Sequence, residues 1–161
     1  YSPAEFFAAL SESLLEYEEN GKLPGKLDRD SPLGPMEMPA ETPEFSTVYL
    51  DQVFKLAGTS RDIYRNQGHL PSEVLLDGKS IGPGSLMHLF CTAYLDIKGK
   101  KERDAYEVIP FDGYPKENEE EIIGEVYGYK DWIVHRTDLD MSHLADMTRM
   151  QLWTLKPAIE K

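Results

Sequence analysis

Residues 64–71 read Tyr-Arg-Asn-Gln-Gly-His-Leu-Pro, and residues 17–24 read Tyr-Glu-Glu-Asn-Gly-Lys-Leu-Pro, so the two stretches agree at Tyr, Gly, Leu and Pro. In each, the tyrosine lies near a helix end, the glycine permits a left-handed cap, the leucine packs back onto the helix and the proline stops regular structure. After one inserted residue, Leu-Gly-Pro at 33–35 matches Ile-Gly-Pro at 81–83, and Gly-Pro suits the start of a helix. The pattern predicts a duplicated unit of helix, Gly-x-Leu-Pro stop, short extended or turn segment, and helix.

Apolar residues at three- and four-residue spacings predict the helices themselves. The first covers residues 2–19 and begins with Ser2, Pro3 and Glu5, a capping box with proline at the first helical position. The second runs from 46 or 47 to 66, with Gly58 as a weak point that costs about 1 kcal/mol relative to alanine. The third runs from 84 or 85 to 97, after two short extended pieces joined by Asp77-Gly78. The apolar face of the first helix is predicted to comprise Phe6, Phe7, Leu10, Leu14, Leu15 and Tyr17.

The predicted fold is mainly α. Residues 1–105 form the duplicated helical region, with copies at about 2–45 and 46–98, although prolines between 22 and 45 exclude a long regular element there. Residues 106–161 form a C-terminal extension packed on this region, with an acidic run at 117–121 that begins a short helix. A final helix runs from 140 or 142 to about 155, with Leu152 and Trp153 turned inward.

Composition limits the partners. The formal net charge is −12, from 29 acidic and 17 basic residues, which repels phosphate backbones and anionic headgroups. We therefore expect no nucleic-acid partner and no membrane insertion, because no apolar run is long enough to cross a bilayer. The single cysteine, Cys91, lies in an apolar run and is predicted to be a small buried hydrophobe.

The second unit reads Ile-Tyr-Arg-Asn-Gln-Gly-His-Leu-Pro-Ser-Glu-Val-Leu-Leu-Asp-Gly-Lys-Ser-Ile over 63–81 and Leu-Met-His-Leu-Phe over 86–90. It resembles a pseudomurein-binding repeat, which pairs a helix ending in Asn-x-x-Leu-Pro with Val-x-Val-Asn-Gly and a Leu-rich helix. The resemblance covers residues 50–97 well and 2–43 loosely; the first copy has Asp-Arg-Asp at 28–30 in place of the extended piece. It implies a small non-catalytic wall- or glycan-binding module, in an extracellular or cell-envelope setting, often beside an enzyme acting on envelope polymers.

Catalytic patterns are missing from the sequence. It has no Gly-x-Ser-x-Gly elbow and no phosphate-binding Gly-x-x-x-x-Gly-Lys motif, and we expect no catalytic residues and no cofactor. The candidate metal ligands are His135, Asp138, Asp140 and His143, which could gather on a loop. They lack the paired histidines of a zinc protease and the ligand set of a metal-dependent deacetylase, so no metal is predicted.

Aromatic residues near the C-terminus are the candidate glycan contacts. Three of them surround a glycine and polar residues in the run 127–132, a composition that is hard to bury as a whole. The predicted ligand-binding residues are Trp132, Tyr127, Tyr129 and Tyr114. A packed loop is the alternative interpretation of this run.

Three functions remain open at this point. The first is a non-catalytic module that binds a polysaccharide or cell-wall polymer. A neighbouring catalytic domain is a further possible partner of such a module. The second is an accessory or terminal segment of a carbohydrate-active enzyme, since residues 132–135 and 151–158 are similar to segments flanking polysaccharide-deacetylase-like enzymes. The third is a protein-interaction module, which self-association without glycan affinity would indicate.

Overall fold

Helices dominate the computed structural model, which describes residues 1–28, 30–42, 47–101, 103–111 and 142–156. The mainly α fold predicted from the sequence is confirmed. The strands of the described residues are short and form two separate antiparallel pairs, residues 48–49 with 105–106 and residues 74–76 with 79–81. In chain order the elements are α1 (Pro3–Asn20), β1 (Val48–Tyr49), α2 (Leu50–Gln67), β2 (Val74–Leu76), β3 (Lys79–Ile81), α3 (Pro83–Lys98), β4 (Ala105–Tyr106) and α4 (Ser142–Leu152).

The start of α1 is buried, and each of its first backbone groups has a partner. Ser2 and Glu5 form the predicted capping box: the Ser2 N–H donates to the Glu5 carboxylate at 3.0 Å, and the Glu5 N–H donates to the Ser2 hydroxyl at 3.3 Å. Pro3 has no N–H, and the Ala4 N–H donates to the Trp153 carbonyl at 2.9 Å. The C-terminal end of α4 therefore completes the first turn of α1.

Helices α1 and α2 end in the same way. The N–H of Gly21 donates to the Tyr17 carbonyl and that of Gly68 to the Tyr64 carbonyl, at 2.8 and 2.9 Å. Both glycines are left-handed, with φ of 65° and 79°, as the shared Gly-x-Leu-Pro motif predicts. Gene duplication stays a prediction, because matching caps can also arise independently.

The two copies differ beyond this cap. In the second, β2 and β3 form the predicted hairpin, and Gly82 caps α3. In the first, the described residues between 22 and 42 contain no helix and only one isolated bridge, from Leu33 to His69. Leu33 donates to the Gly68 carbonyl and accepts from the Leu70 N–H, both at 2.9 Å. The first copy's loop thus fastens onto the end of the second copy's helix.

The core lies among α1, α2 and α3, with α1 packed against the other two. The rings of Phe7 and Phe90 pack edge to face, with their centroids 5.5 Å apart. The ring centroids of Tyr17 and Phe54 are 6.4 Å apart. The prediction that Phe6 belongs to this face is wrong, because its side chain is 43% exposed whereas Phe7 is fully buried. Neighbouring helical residues point about 100° apart, so both rings cannot face one narrow core.

Helix α4 closes the described core from the C-terminal side, and Leu152 and Trp153 are buried as predicted. The Trp153 side chain packs on Gly34, where an added Cβ would lie 2.6 Å from the tryptophan Cβ. The Gly34 N–H also donates to the Met150 carbonyl at 2.8 Å.

Among the described helices, none is long and apolar enough to cross a membrane. The division of the chain at residue 105 stays a prediction.

One glycine inside α2 and the glycine that caps its C-terminal end provide a matched pair of stability tests. Gly58 lies inside the helix, where an added Cβ would make only an ordinary contact with Leu15 at 3.7 Å. We expect Gly58→Ala to raise the free energy of unfolding by about 1 kcal/mol through helix propensity. Gly68→Ala should lower it by about 1 kcal/mol, because alanine is strained at φ 79° although the site is sterically open. Urea denaturation measures both; a stabilising Gly68→Ala would contradict the cap assignment.

Candidate functional site

The aromatic residues predicted to bind a ligand, Tyr114, Tyr127, Tyr129 and Trp132, lie outside the described residues. So do His135, Asp138 and Asp140 of the candidate metal set. His143 is described, and it is exposed on the first turn of α4. Within the described ranges no group of three or more His, Cys, Asp or Glu side chains could hold a metal ion. The predictions for the run 127–132 and for the metal set stay predictions.

Described residues form a groove between α1, α3 and a loop that contributes residues 24–28 and 30, and this groove is a candidate site. Its volume is about 600 Å³. The floor is the face of α1 that carries Phe6, Ala9 and Ser13, residues spaced by three and four so that they lie in one row. The side chains of Ala9 and Ser13 are small, so they leave space between α3 and the loop. The Ser13 hydroxyl donates to the Ala9 carbonyl at 2.7 Å and so points along the helix.

Aromatic rings stand at the edges of this groove. Tyr1 is 79% exposed and Phe6 is 43% exposed, both beside the start of α1. Tyr94 lies on the wall formed by α3, next to Cys91 and Leu95. The Lys98 ammonium lies over one face of the Tyr94 ring, 5.9 Å from its centroid, in a cation–π contact. Aromatic residues therefore line the groove on both the α1 side and the α3 side.

Carboxylates of Glu12 and Asp30 also line the groove. Glu12 accepts a hydrogen bond from the Tyr64 hydroxyl at 2.7 Å and pairs with Arg65 at 3.0 Å. Arg65 also reaches Asp30, at 3.5 Å. This cluster ties the end of α2 to α1 through Glu12 and to the loop through Asp30.

The tyrosine in this cluster is a fixed donor. Burial, and then the hydrogen bond to Glu12, raise the pKa of the Tyr64 phenol far above its usual value. The phenol therefore remains protonated at neutral pH and keeps the Glu12 carboxylate oriented. The stability that this phenol contributes is present below its unfolded pKa of about 10 and is lost as the pH rises above that value.

Glu5 and Cys91 also line the groove, but they differ in availability. The Glu5 carboxylate is engaged by the capping box, by Ser31 at 3.4 Å and by the Lys156 ammonium at 3.4 Å. Its role is structural. Cys91 is only partly buried, which corrects the prediction of a buried cysteine; it packs against the edge of the core and also lines the groove.

Sequence reasoning missed this site. The one local signal was the pair Phe6-Phe7, since two adjacent aromatic residues on a helix cannot share one face. The carboxylates gave no comparable signal, because Glu12 and Asp30 come together only when the loop folds across α1. Comparison of the chain with protein-family models, with curated proteins and with solved structures gives no match.

Proposed function

We propose that the protein is a non-catalytic glycan-binding module, of the cell-wall-binding kind, and that its ligand lies in the groove between α1 and α3. The observation that carries the proposal is the meeting of exposed aromatic rings and carboxylates around one shallow, preformed surface. Neither feature alone would indicate a sugar ligand.

Sugar rings have two chemically distinct surfaces. Their C–H faces are apolar and pack on aromatic rings, whereas their hydroxyl edges need hydrogen-bond partners. Phe6 has no polar atom and can act only through its ring. Glu12 and Asp30 accept hydrogen bonds and can receive hydroxyl donors.

The dimensions also suit a ligand of this kind. A volume of about 600 Å³ falls within the range of small-molecule sites. The loop is tied to the end of α2 at Asp30, which pairs with Arg65, and just beyond the groove at Leu33, which bonds to residues 68 and 70. A preformed site loses less conformational entropy on binding than a disordered one.

The first test replaces one ring. We expect Phe6→Ala to weaken binding of the recognised glycan about tenfold, which corresponds to about 1.4 kcal/mol, with little change in the free energy of unfolding because the ring is exposed. Calorimetric titration against a panel of neutral, acidic and amino-sugar oligosaccharides measures this effect. Tyr49→Ala is the control, since Tyr49 is 58% exposed and lies outside the groove.

The location of binding can be checked independently through the thiol. Cys91 is the single cysteine of the chain and lines the groove, so a bound glycan should slow its alkylation. Glycan binding without protection of Cys91 would move the site elsewhere, and the run Tyr127 to Trp132 would then be the next candidate. If the protein binds no glycan and self-associates, the result would favour a protein-interaction module. If the purified protein contains stoichiometric transition metal, the result would favour a segment of a carbohydrate-active enzyme.

A further inference from the structure

We propose that the turn Asp77-Gly78 is a site of spontaneous chemical modification, at which Asp77 converts to isoaspartate through a cyclic imide while the protein is folded. The inference is independent of the groove and of its ligand. It is carried by the different ways in which the fold holds two dipeptides that are both prone to this reaction.

The reaction needs an aspartate or asparagine followed by a residue whose backbone nitrogen is accessible. That nitrogen loses its proton and attacks the side-chain carbonyl carbon, so that an N–C bond forms while water leaves from an aspartic acid or ammonia from an asparagine. The five-membered imide then takes up water at one of its two carbonyls. Opening at one carbonyl gives aspartate, and opening at the other gives isoaspartate, in which the main chain passes through the side-chain carbons.

Glycine is the following residue that reacts most readily, because no Cβ shields its nitrogen. The described residues contain two such dipeptides, Asn20-Gly21 and Asp77-Gly78; a third, Asp112-Gly113, lies outside them. In an unfolded chain the asparagine should react faster, because a neutral amide accepts a nucleophile more readily than an ionised carboxylate. Both described dipeptides are exposed, so exposure does not distinguish them. The difference lies in their hydrogen bonds.

The end of α1 protects the first dipeptide. The Gly21 nitrogen, which would be the attacking atom, donates its proton to the Tyr17 carbonyl at 2.8 Å. The Asn20 side-chain amide donates to the Glu16 carboxylate at 2.8 Å, one turn back along the helix. Ring closure at this place must therefore break both bonds and disturb the helix cap.

The hairpin turn leaves the second dipeptide open. Within the described residues the Gly78 N–H makes no backbone hydrogen bond, and no atom beyond its chain neighbours lies within 4 Å of the place that a Gly78 Cβ would occupy. Asp77 has a φ of 51°, and its carboxylate accepts a long hydrogen bond from the Gln52 amide, at 3.4 Å. The attacking nitrogen is thus accessible in the turn and bonded in the helix cap.

Isomerisation at this turn should loosen the hairpin. Isoaspartate adds one carbon to the main chain between Leu76 and Lys79, the pair that closes β2 and β3. Val74 and Ile81 form another pair of the same hairpin, and both are buried in the core. Because the turn sets the register of a hairpin, a longer turn disturbs the placement of these core side chains.

The experiment incubates the full chain at neutral pH, folded and in guanidinium chloride, and measures isoaspartate and deamidation at each site by peptide mapping and mass spectrometry. For Asp77 we expect folded and unfolded rates that agree within about threefold, because an exposed turn opens at little cost. For Asn20 the folded state should slow the reaction by at least about tenfold, because two hydrogen bonds must break. Equal protection of the two sites in the folded protein would overturn the proposal.

Two variants of the turn test the route. Asp77→Asn should react faster than the original chain, because the neutral amide loses ammonia, and Asn-Gly keeps the preferred turn. Gly78→Asp should slow the reaction at Asp77, because a side chain shields the attacking nitrogen, and aspartate is among the residues that tolerate a positive φ. An unchanged rate at Asp77 in Gly78→Asp would contradict attack by this nitrogen.

The loosened hairpin has its own measurement. Isomerised and original protein can be separated by ion-exchange chromatography and compared by urea denaturation. We expect the isomerised form to unfold at a lower urea concentration, because Val74 and Ile81 lose their paired placement. Equal midpoints for the two forms would refute the predicted effect on the hairpin.

Discussion

Trp153→Ala should lower the free energy of unfolding by about 3–5 kcal/mol, the range for truncation of a large buried aromatic side chain. The indole is 1% exposed and belongs to the core formed with α1, α2 and α3. It also fills the space above Gly34, where no side chain is present to close the gap that alanine would leave. Urea denaturation followed by far-UV circular dichroism measures the change.

The control for this prediction is Leu155→Ala, two residues along. Leu155 is 60% exposed, and its truncation should change the free energy of unfolding by no more than about 0.5 kcal/mol. Equal unfolding midpoints for the two variants would contradict the description of Trp153 as the residue that joins α4 to the core.

Leu70→Ala is expected to cost about 2–5 kcal/mol of stability, as for other fully buried leucines. Leu70 is 0% exposed, and its N–H donates to the Leu33 carbonyl. The backbone bond survives the substitution, so the loss measures packing alone. Thermal or urea unfolding gives the value.

The corresponding leucine of the first stretch provides an internal comparison. Leu23 occupies the same place after its glycine cap but is only partly buried. We expect Leu23→Ala to cost about 1 kcal/mol. A cost for Leu23→Ala that matches that of Leu70→Ala would mean that the two stretches are equivalent in packing as well as in sequence, contrary to their burial.

Local signals predicted the helices and the hairpin well. The first helix was expected at 2–19 and lies at Pro3–Asn20, and the third was expected from 84 or 85 to 97 and lies at Pro83–Lys98. Caps, proline positions and the Asp77-Gly78 turn are properties of adjacent residues, so the sequence contains them directly. The start of α2 was placed too early, because Val48 and Tyr49 form β1 instead.

The missed features depend on distant partners. β1 exists because Val48 pairs with Tyr106, far along the chain. The groove exists because the loop at 24–30 crosses α1 and is held there by Arg65, which comes from the end of α2. No spacing rule within either segment encodes that meeting. The ligand-binding site predicted at residues 127–132 rested on the number of aromatic residues in one run. Composition alone does not say which of those side chains are buried.

The bond between the Ala4 N–H and the Trp153 carbonyl has a consequence for the order of events during synthesis. The first turn of α1 is synthesised well before the group that completes it, because Trp153 follows Ala4 by about 150 residues. At about 5–20 residues per second, that interval lasts roughly 8–30 s. From the synthesis of Gly34 until that of Trp153, the apolar surface around Gly34 stays uncovered on the nascent chain, and a chaperone that binds exposed apolar segments would bind there.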